Sequence, residues 1–255
     1  MAWRPHFYKR SLIDGSLFLP MIPFMRLTSN SLNISGGFYT VSEAARLLGM
    51  ESHQRISRWL QPTQNGSNPV ILRDYPKAGR EHEISFLDMI EIRFVEHFRQ
   101  RNISLQSLRV ASKNARRELG VAHPFAMSSV KFQTDRRQVF LETAKETGDK
   151  FLLNLMTNQV EIYNVVEQIL ARDLEFDVAG FAKIWQPAPS IAPNVTVSPV
   201  FAFGRPVISE RHLPTRTLFE SWLANDRSAS TVSEWFEISD DDVDEAVRFE
   251  LRPLH

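Results

Sequence analysis

Cysteine is missing altogether from the 255 residues. A disulfide framework and a thiolate metal site are thereby excluded, and a reducing, cytoplasmic setting fits. Glycine is scarce, 10 in all, and no glycine-rich run leads into a Lys-Ser/Thr pair, so there is no phosphate-cradling loop. Long apolar runs are lacking too. The nearest, Leu17 to Met25, is broken by Pro20 and Pro23 and falls short of the roughly 18 residues that cross a bilayer, so no membrane partner is expected. Arg4, Lys9 and Arg10 precede that run in the manner of a signal peptide, but Asp14 intervenes and no small-residue cleavage site follows. Net charge is zero, 30 basic against 30 acidic residues.

The zero hides an asymmetry. Residues 1–120 carry 17 Lys/Arg against 10 Asp/Glu, a balance of +7, and residues 121–255 carry 13 against 20, a balance of −7. Such a split suggests different partners for the two halves, with compositional drift as the plainer alternative. Apolar residues at 43% and charged residues at 24% argue against wholesale disorder.

Four stretches are expected along the chain. Residues 1–35 read as a flexible tail, or as an upstream extension with translation starting at Met21 or Met25. Residues 36–122 are dominated by helical patterns. Residues 123–190 open at His123-Pro124 and read as an α+β connecting region. Within it, Val130-Lys131-Phe132 and Val139-Phe140-Leu141 flank Thr134-Asp135-Arg136-Arg137 as a β-hairpin. Thr157 to Leu170 reads as a helix with Asn158 and Glu161 in capping-box spacing. The proline-stiffened Gln186-Pro187-Ala188-Pro189-Ser190 reads as a linker to a last unit, 191–255.

The informative run is Phe38-Tyr39-Thr40-Val41-Ser42-Glu43-Ala44-Ala45-Arg46-Leu47-Leu48-Gly49-Met50, continuing to Leu60. Thr40 and Glu43 are spaced as a capping box, and Val41, Ala44, Ala45 and Leu48 form an inward stripe. Gly49 supplies the positive φ of a tight turn. Ser52 is placed to cap a second helix that buries Ile56 and Trp59 or Leu60 and presents His53, Gln54, Arg55, Ser57 and Arg58 outward. A short exposed helix, polar and basic at its start, is what a major groove accepts. Arg pairs with guanine, Gln with adenine, and Ser reaches phosphates. A merely solvated helical hairpin is the bland alternative.

This run resembles the reading head of MerR-type regulators, whose motif is close to Tyr-Thr-Val-Ser-Glu-Ala-Ala-Arg-Leu-Leu-Gly. The resemblance implies a winged helix-turn-helix in which Tyr39, Thr40, Ser42 and Ser52 join the DNA-facing set. Val70-Ile71-Leu72 and Glu83-Ile84-Ser85 would be wing strands, with Arg73, Lys77 and Arg80 on phosphates near the tip. Ser85-Phe86-Leu87-Asp88 opens a helix that buries Phe86, Ile90, Phe94 and Phe98. Ser104-Leu105 starts another, with Leu108, Ala115 and Leu119 inward and Arg109, Lys113 and Arg116 outward. The long dimerising helix and metal-binding cysteine of MerR regulators are absent.

Residues 195–251 carry a second resemblance, on Gly204-Arg205-Pro206-Val207-Ile208, Leu213-Pro214-Thr215-Arg216-Thr217-Leu218 and Ser230 to Ser239. They are similar to the small homeodomain-like family known as domain of unknown function 433, found in antitoxins of the VapB kind. That likeness implies a C-terminal helix-turn-helix in which Arg205, Pro214, Thr215, Trp222, Trp235 and Phe236 meet a protein partner, a PIN-like ribonuclease toxin. The family's Gly-Thr-Arg is replaced here by Ser209-Glu210-Arg211. For Trp222, Trp235 and Phe236 a core position is the alternative. Ser230 is placed to cap the helix containing Val232 and Phe236, and Asp240, Asp241 and Asp242 stabilise the start of the last one.

Taken together, the fold is expected to be mainly α with small β elements. The function expected is that of a homodimeric antitoxin that binds operator DNA, represses its own operon and masks a ribonuclease. A stand-alone regulator sensing a small ligand is the alternative. Seven histidines show no His-Glu-x-x-His spacing, and no Gly-x-Ser-x-Gly elbow occurs. No enzyme activity, metal or cofactor is therefore expected. A nucleic-acid enzyme using Asp240–Asp242 is the remaining, least favoured reading.

Overall fold

Thr40 begins the first helix as its sequence requires: its hydroxyl accepts from the Glu43 amide, and its own amide donates to Glu43 Oε2 at 2.8 Å. The computed structural model describes residues 37–75, 83–128, 137–158, 162, 164, 172–208 and 210–253. The expected tail at 1–35 and the wing-tip residues Lys77 and Arg80 lie outside them. Among the described residues the fold is mainly helical, with three two-stranded antiparallel sheets. No described helix is long and apolar enough to cross a membrane.

Strand β1 (Tyr39–Thr40) pairs with β2 (Glu83–Ile84) and leads directly into α1 (Val41–Leu47). Gly49, at φ 69°, turns the chain into α2 (His53–Trp59). Ala44 and Ala45 are buried, and α1 packs closely on α2. Ser52 stands at the N-cap of α2 but makes no capping bond with its side chain.

Val70-Ile71-Leu72 is not a wing strand. Its polar groups turn to helices instead: the amides of Val70 and Ile71 donate to Trp59 O at 3.1 and 3.3 Å, and Val70 O accepts from Ser112 Oγ at 2.7 Å. With those groups committed, β2 finds its partner in β1.

Helix α3 (Phe86–Gln100) opens with the Ser85–Asp88 capping box, and Phe86, Ile90, Phe94 and Phe98 are all buried. Helix α4 (Leu105–Leu119) ends at Gly120, whose φ of 64° accommodates the left-handed cap. Phe94 stacks on Phe98 and on Phe125 with centroids 4.4 and 4.5 Å away, and Phe140 closes the cluster 6.1 Å from Phe94.

Phe140 lies in α5 (Arg137–Thr147), so Val139-Phe140-Leu141 is helix rather than hairpin. Buried Val139, Phe140, Thr143 and Ala144 follow helical spacing. The hairpin's other half, at 130–136, lies outside the described residues. Asp149 caps α6 (Lys150–Thr157) and also accepts from the Ser104 amide and the Ser107 hydroxyl at the start of α4. Asn158 ends α6, and its carbonyl also accepts from the Ile162 amide at 3.0 Å. Ile162 and Asn164 are helical, as the sequence reading expects, while the other residues of 159–170 lie outside the described ones.

Strands β3 (Leu174–Phe176) and β4 (Ala182–Trp185) form a hairpin. Trp185 then bridges to Val197, and Thr196 to Val207, across the stretch read as a linker. Ala188 within it is buried. Strands β5 (Val207–Ile208) and β6 (Leu213–Pro214) pair ahead of α7 (Thr215–Ala224), α8 (Ala229–Phe236) and α9 (Asp240–Leu251). Ser228, not Ser230, caps α8, because its hydroxyl accepts from the Thr231 amide. Ser239 and Asp242 cap α9 reciprocally.

The two ends of this unit meet. Tyr39 Oη donates to Gly204 O at 2.7 Å, Arg46 pairs with Glu250, and Arg252 donates to Arg46 O at 3.0 Å. Gly204 has φ +88°, and a Cβ there would lie 2.3 Å from Tyr39 Oη and 3.2 Å from Gly37 Cα. Gly204→Ala is therefore expected to cost about 1–3 kcal/mol through strain and displacement of Tyr39. A lowered urea midpoint would show it, and an unchanged midpoint would refute the close approach.

Candidate nucleic-acid interface

Ile56 and Trp59 fix the roll of α2 by being buried on its inner side. That roll leaves His53, Gln54, Arg55 and Arg58 exposed, with Ser57 half-buried and its hydroxyl turned onto His53 O at 3.4 Å. Four of the sequence-picked side chains thus share one open face. Ser42 is exposed at the start of α1.

Arg55 is not idle on this face. Its Nη2 sits 2.8 Å from Glu96 Oε2 on α3, and its guanidinium lies 5.8 Å from the Trp59 ring centroid. A base or phosphate would have to displace Glu96.

Other expected contacts are placed elsewhere. Tyr39 is only 3% exposed, with its hydroxyl held by Gly204, and burial raises its pKa; it is a core residue rather than a DNA contact. Thr40 spends its hydroxyl on the α1 cap. Ser52 is half-buried, and Arg73 is half-buried with Nη1 shielded from solvent.

At the other end, Thr215 is buried and donates to Glu250 Oε1 at 2.6 Å, so it is not free for a partner. Arg205 is exposed, and Pro214 is half-buried at the start of α7. Trp222 and Phe236 lean on the core, Trp222 beneath Arg227 at 5.6 Å. Trp235 is 63% exposed.

Sequence reading missed a second assembly. Asp74, Asp88, Glu91, Arg116 and His123 converge behind the head. His123 Nε2 is 2.7 Å from Asp74 Oδ1, and Nδ1 is 3.7 Å from both Asp88 Oδ1 and Glu91 Oε2. Arg116, expected outward, points in: its Nη2 is 3.5 Å from Glu91 Oε2 and 3.1 Å from Val70 O.

Burial alone would lower the His123 pKa, but the bond to Asp74 and the Glu91 and Asp88 carboxylates outweigh it and raise it to about 10. Burial pushes Asp88 up to about 7 despite the opposing pull of His123. Asp74 is also penalised by burial, yet His123 holds it below its ordinary value.

No protein-family model matches the chain, and no curated protein does. Among solved structures it is similar to the X-ray crystal structure of Rv2018 from Mycobacterium tuberculosis, with a TM-score of 0.62 and 19% sequence identity. The likeness is one of fold. It takes in 82% of this chain and 96% of that one, so it extends well beyond α1 and α2.

Proposed function

We propose that the chain is a DNA-binding antitoxin: the head reads operator DNA through α2, and the C-terminal unit occupies a PIN-like ribonuclease. The observation that carries the DNA half is the single exposed face of His53, Gln54, Arg55 and Arg58 on a helix anchored by buried Ile56 and Trp59. Arg58 and Gln54 are free to reach base edges. Arg55 joins them by exchanging Glu96 for guanine or phosphate. Lys77 and Arg80 add phosphate contacts that fix register without reading sequence.

Arg55→Ala and Arg58→Ala are each expected to weaken binding to the chain's own upstream DNA by about 1–3 kcal/mol, the worth of one good base contact. Fluorescence anisotropy measures this. Wild-type affinity in both variants would remove α2 from the interface. A homodimer is the expected reader, since one short head covers little DNA and paired half-sites are the usual solution.

The partner half rests on the resemblance of residues 195–251, the −7 balance of residues 121–255 and the exposed Trp235. Trp is favoured at interface hot spots. An acidic stretch, Asp240 to Asp242, at the start of α9 suits a basic protein better than a phosphate backbone. Co-expression with the adjacent open reading frame tests it. A stable complex and relief of toxicity are expected; a neighbour that is neither toxic nor co-purified would end the antitoxin reading.

A further inference from the structure

The cluster behind the head has the donor set and anchoring of a metal site. Asp88 Oδ2 accepts from the Ser85 and Asp74 amides at 3.0 and 3.2 Å, and Glu91 Oε1 accepts from the Phe125 amide at 3.0 Å. Each carboxylate is thus pinned through one oxygen and turns the other toward His123. Those other atoms, Asp88 Oδ1 and Glu91 Oε2, have no hydrogen-bond partner, and neither has His123 Nδ1. Asp88 and Glu91 are 0% exposed and His123 4%. Arg116 reaches Glu91 Oε2 at 3.5 Å, but His123 Nδ1 and Asp88 Oδ1 face each other at 3.7 Å without a hydrogen bond, which is costly in a buried site unless something bridges them.

We propose that this cluster binds one divalent cation of the zinc class, with His123 Nδ1 and Asp88 Oδ1 as ligands and Glu91 Oε2, also 3.7 Å from Nδ1, as a neighbouring carboxylate. Donors bound at about 2.0–2.2 Å in a tetrahedral shell lie roughly 3.4 Å apart. The 3.7 Å from Nδ1 to each oxygen needs only a few tenths of contraction. Asp74 is the positioning residue. By accepting from Nε2–H at 2.7 Å it fixes the tautomer that leaves Nδ1 open, the usual carboxylate–histidine–metal relay. The charges fit as well. A cation that displaces the proton from His123 Nδ1 leaves a neutral imidazole, and its two positive charges balance the two negative charges that Asp74, Asp88 and Glu91 leave against Arg116. Mixed imidazole and carboxylate donors without sulfur suit zinc, and cobalt(II) in its place.

The residues come from the stretch before β2, from α3, from the end of α4 and from the turn that follows. A bound ion would clasp the back of the DNA-reading head to the segment that leads away from it. Zinc chloride titrated calorimetrically into the chelator-treated full chain should bind at one equivalent, with micromolar or tighter affinity. Cobalt(II) should give visible ligand-field absorption that zinc abolishes.

His123→Gln and Asp88→Asn should lose this binding. Asp74→Asn, whose side chain is 39% exposed, should fold and weaken it about 10–100-fold, as removal of such a relay does. Absence of saturable binding to the wild type would overturn the site, as would unchanged affinity in Asp74→Asn and His123→Gln. No DNA enters the assay, so the site and the DNA reading stand or fall separately.

Discussion

Phe94→Ala is expected to lower the unfolding free energy by about 3–5 kcal/mol, the range for truncating a buried aromatic ring. Phe94 is fully buried in α3 and holds Phe98 and Phe125 at stacking distance, with Phe140 from α5 beside them. Removing its ring deletes apolar area and leaves a cavity where α3, the Pro124–Ala126 turn and α5 meet. Rings already stacked cannot collapse freely into that space. Urea unfolding should show a lower midpoint with an unchanged slope. A loss below about 1 kcal/mol would mean that the aromatic cluster is not the centre of the core.

Replacing His123 by Ala is expected to cost a comparable amount, about 3–5 kcal/mol near neutral pH, because it removes one partner from a buried ionic cluster and leaves Asp88, already pushed up to about 7, to take up a proton in a dry site. The pH dependence is more specific. The His123 pKa rises on folding from 6.5 to about 10, so the folded chain binds the extra proton. That stabilisation is complete below about pH 6.5 and is lost as pH rises toward 10. Asp88, raised from 3.8 to about 7, acts in the same direction over a lower window. Asp74, lowered by His123, acts oppositely at acid pH.

In a chelating buffer, the melting temperature of the wild type should therefore fall from pH 6.5 to 10. His123→Ala should start lower and flatten that decline. Equal slopes in the two proteins would show that the decline has another source.

What the sequence made legible was local. Thr40 with Glu43, Ser85 with Asp88 and Ser239 with Asp242 each announce a helix start, because the two capping partners sit three residues apart and need nothing else. The stripe Phe86, Ile90, Phe94, Phe98 and the face of α2 were readable for the same reason. Short apolar runs were not. Val70-Ile71-Leu72 and Val139-Phe140-Leu141 look alike as strands, and only tertiary partners decide otherwise: Trp59 O and Ser112 for the first, the aromatic cluster for the second.

Tyr39 was misplaced by analogy with a DNA-facing motif, since its true partner, Gly204, is 165 residues away. The acid–histidine cluster escaped for the same cause. Asp74 and His123 stand 49 positions apart, with no spacing rule to join them. Arg116 looked like one more solvated arginine on α4 until its Glu91 partner was in view.

The face of α2 is tested most directly by sequence preference. Anisotropy titrations should compare a duplex from the chain's own upstream region with a scrambled duplex of equal length, at fixed salt near 0.15 M, where nonspecific phosphate contacts are weakened. Wild-type chain should prefer its own sequence by at least about 10³-fold, the low end for specific readers. The Arg55→Ala/Arg58→Ala double variant should lose most of that preference while keeping residual nonspecific binding. Equal affinity of the wild type for both duplexes, or an undiminished preference in the double variant, would contradict DNA reading by α2.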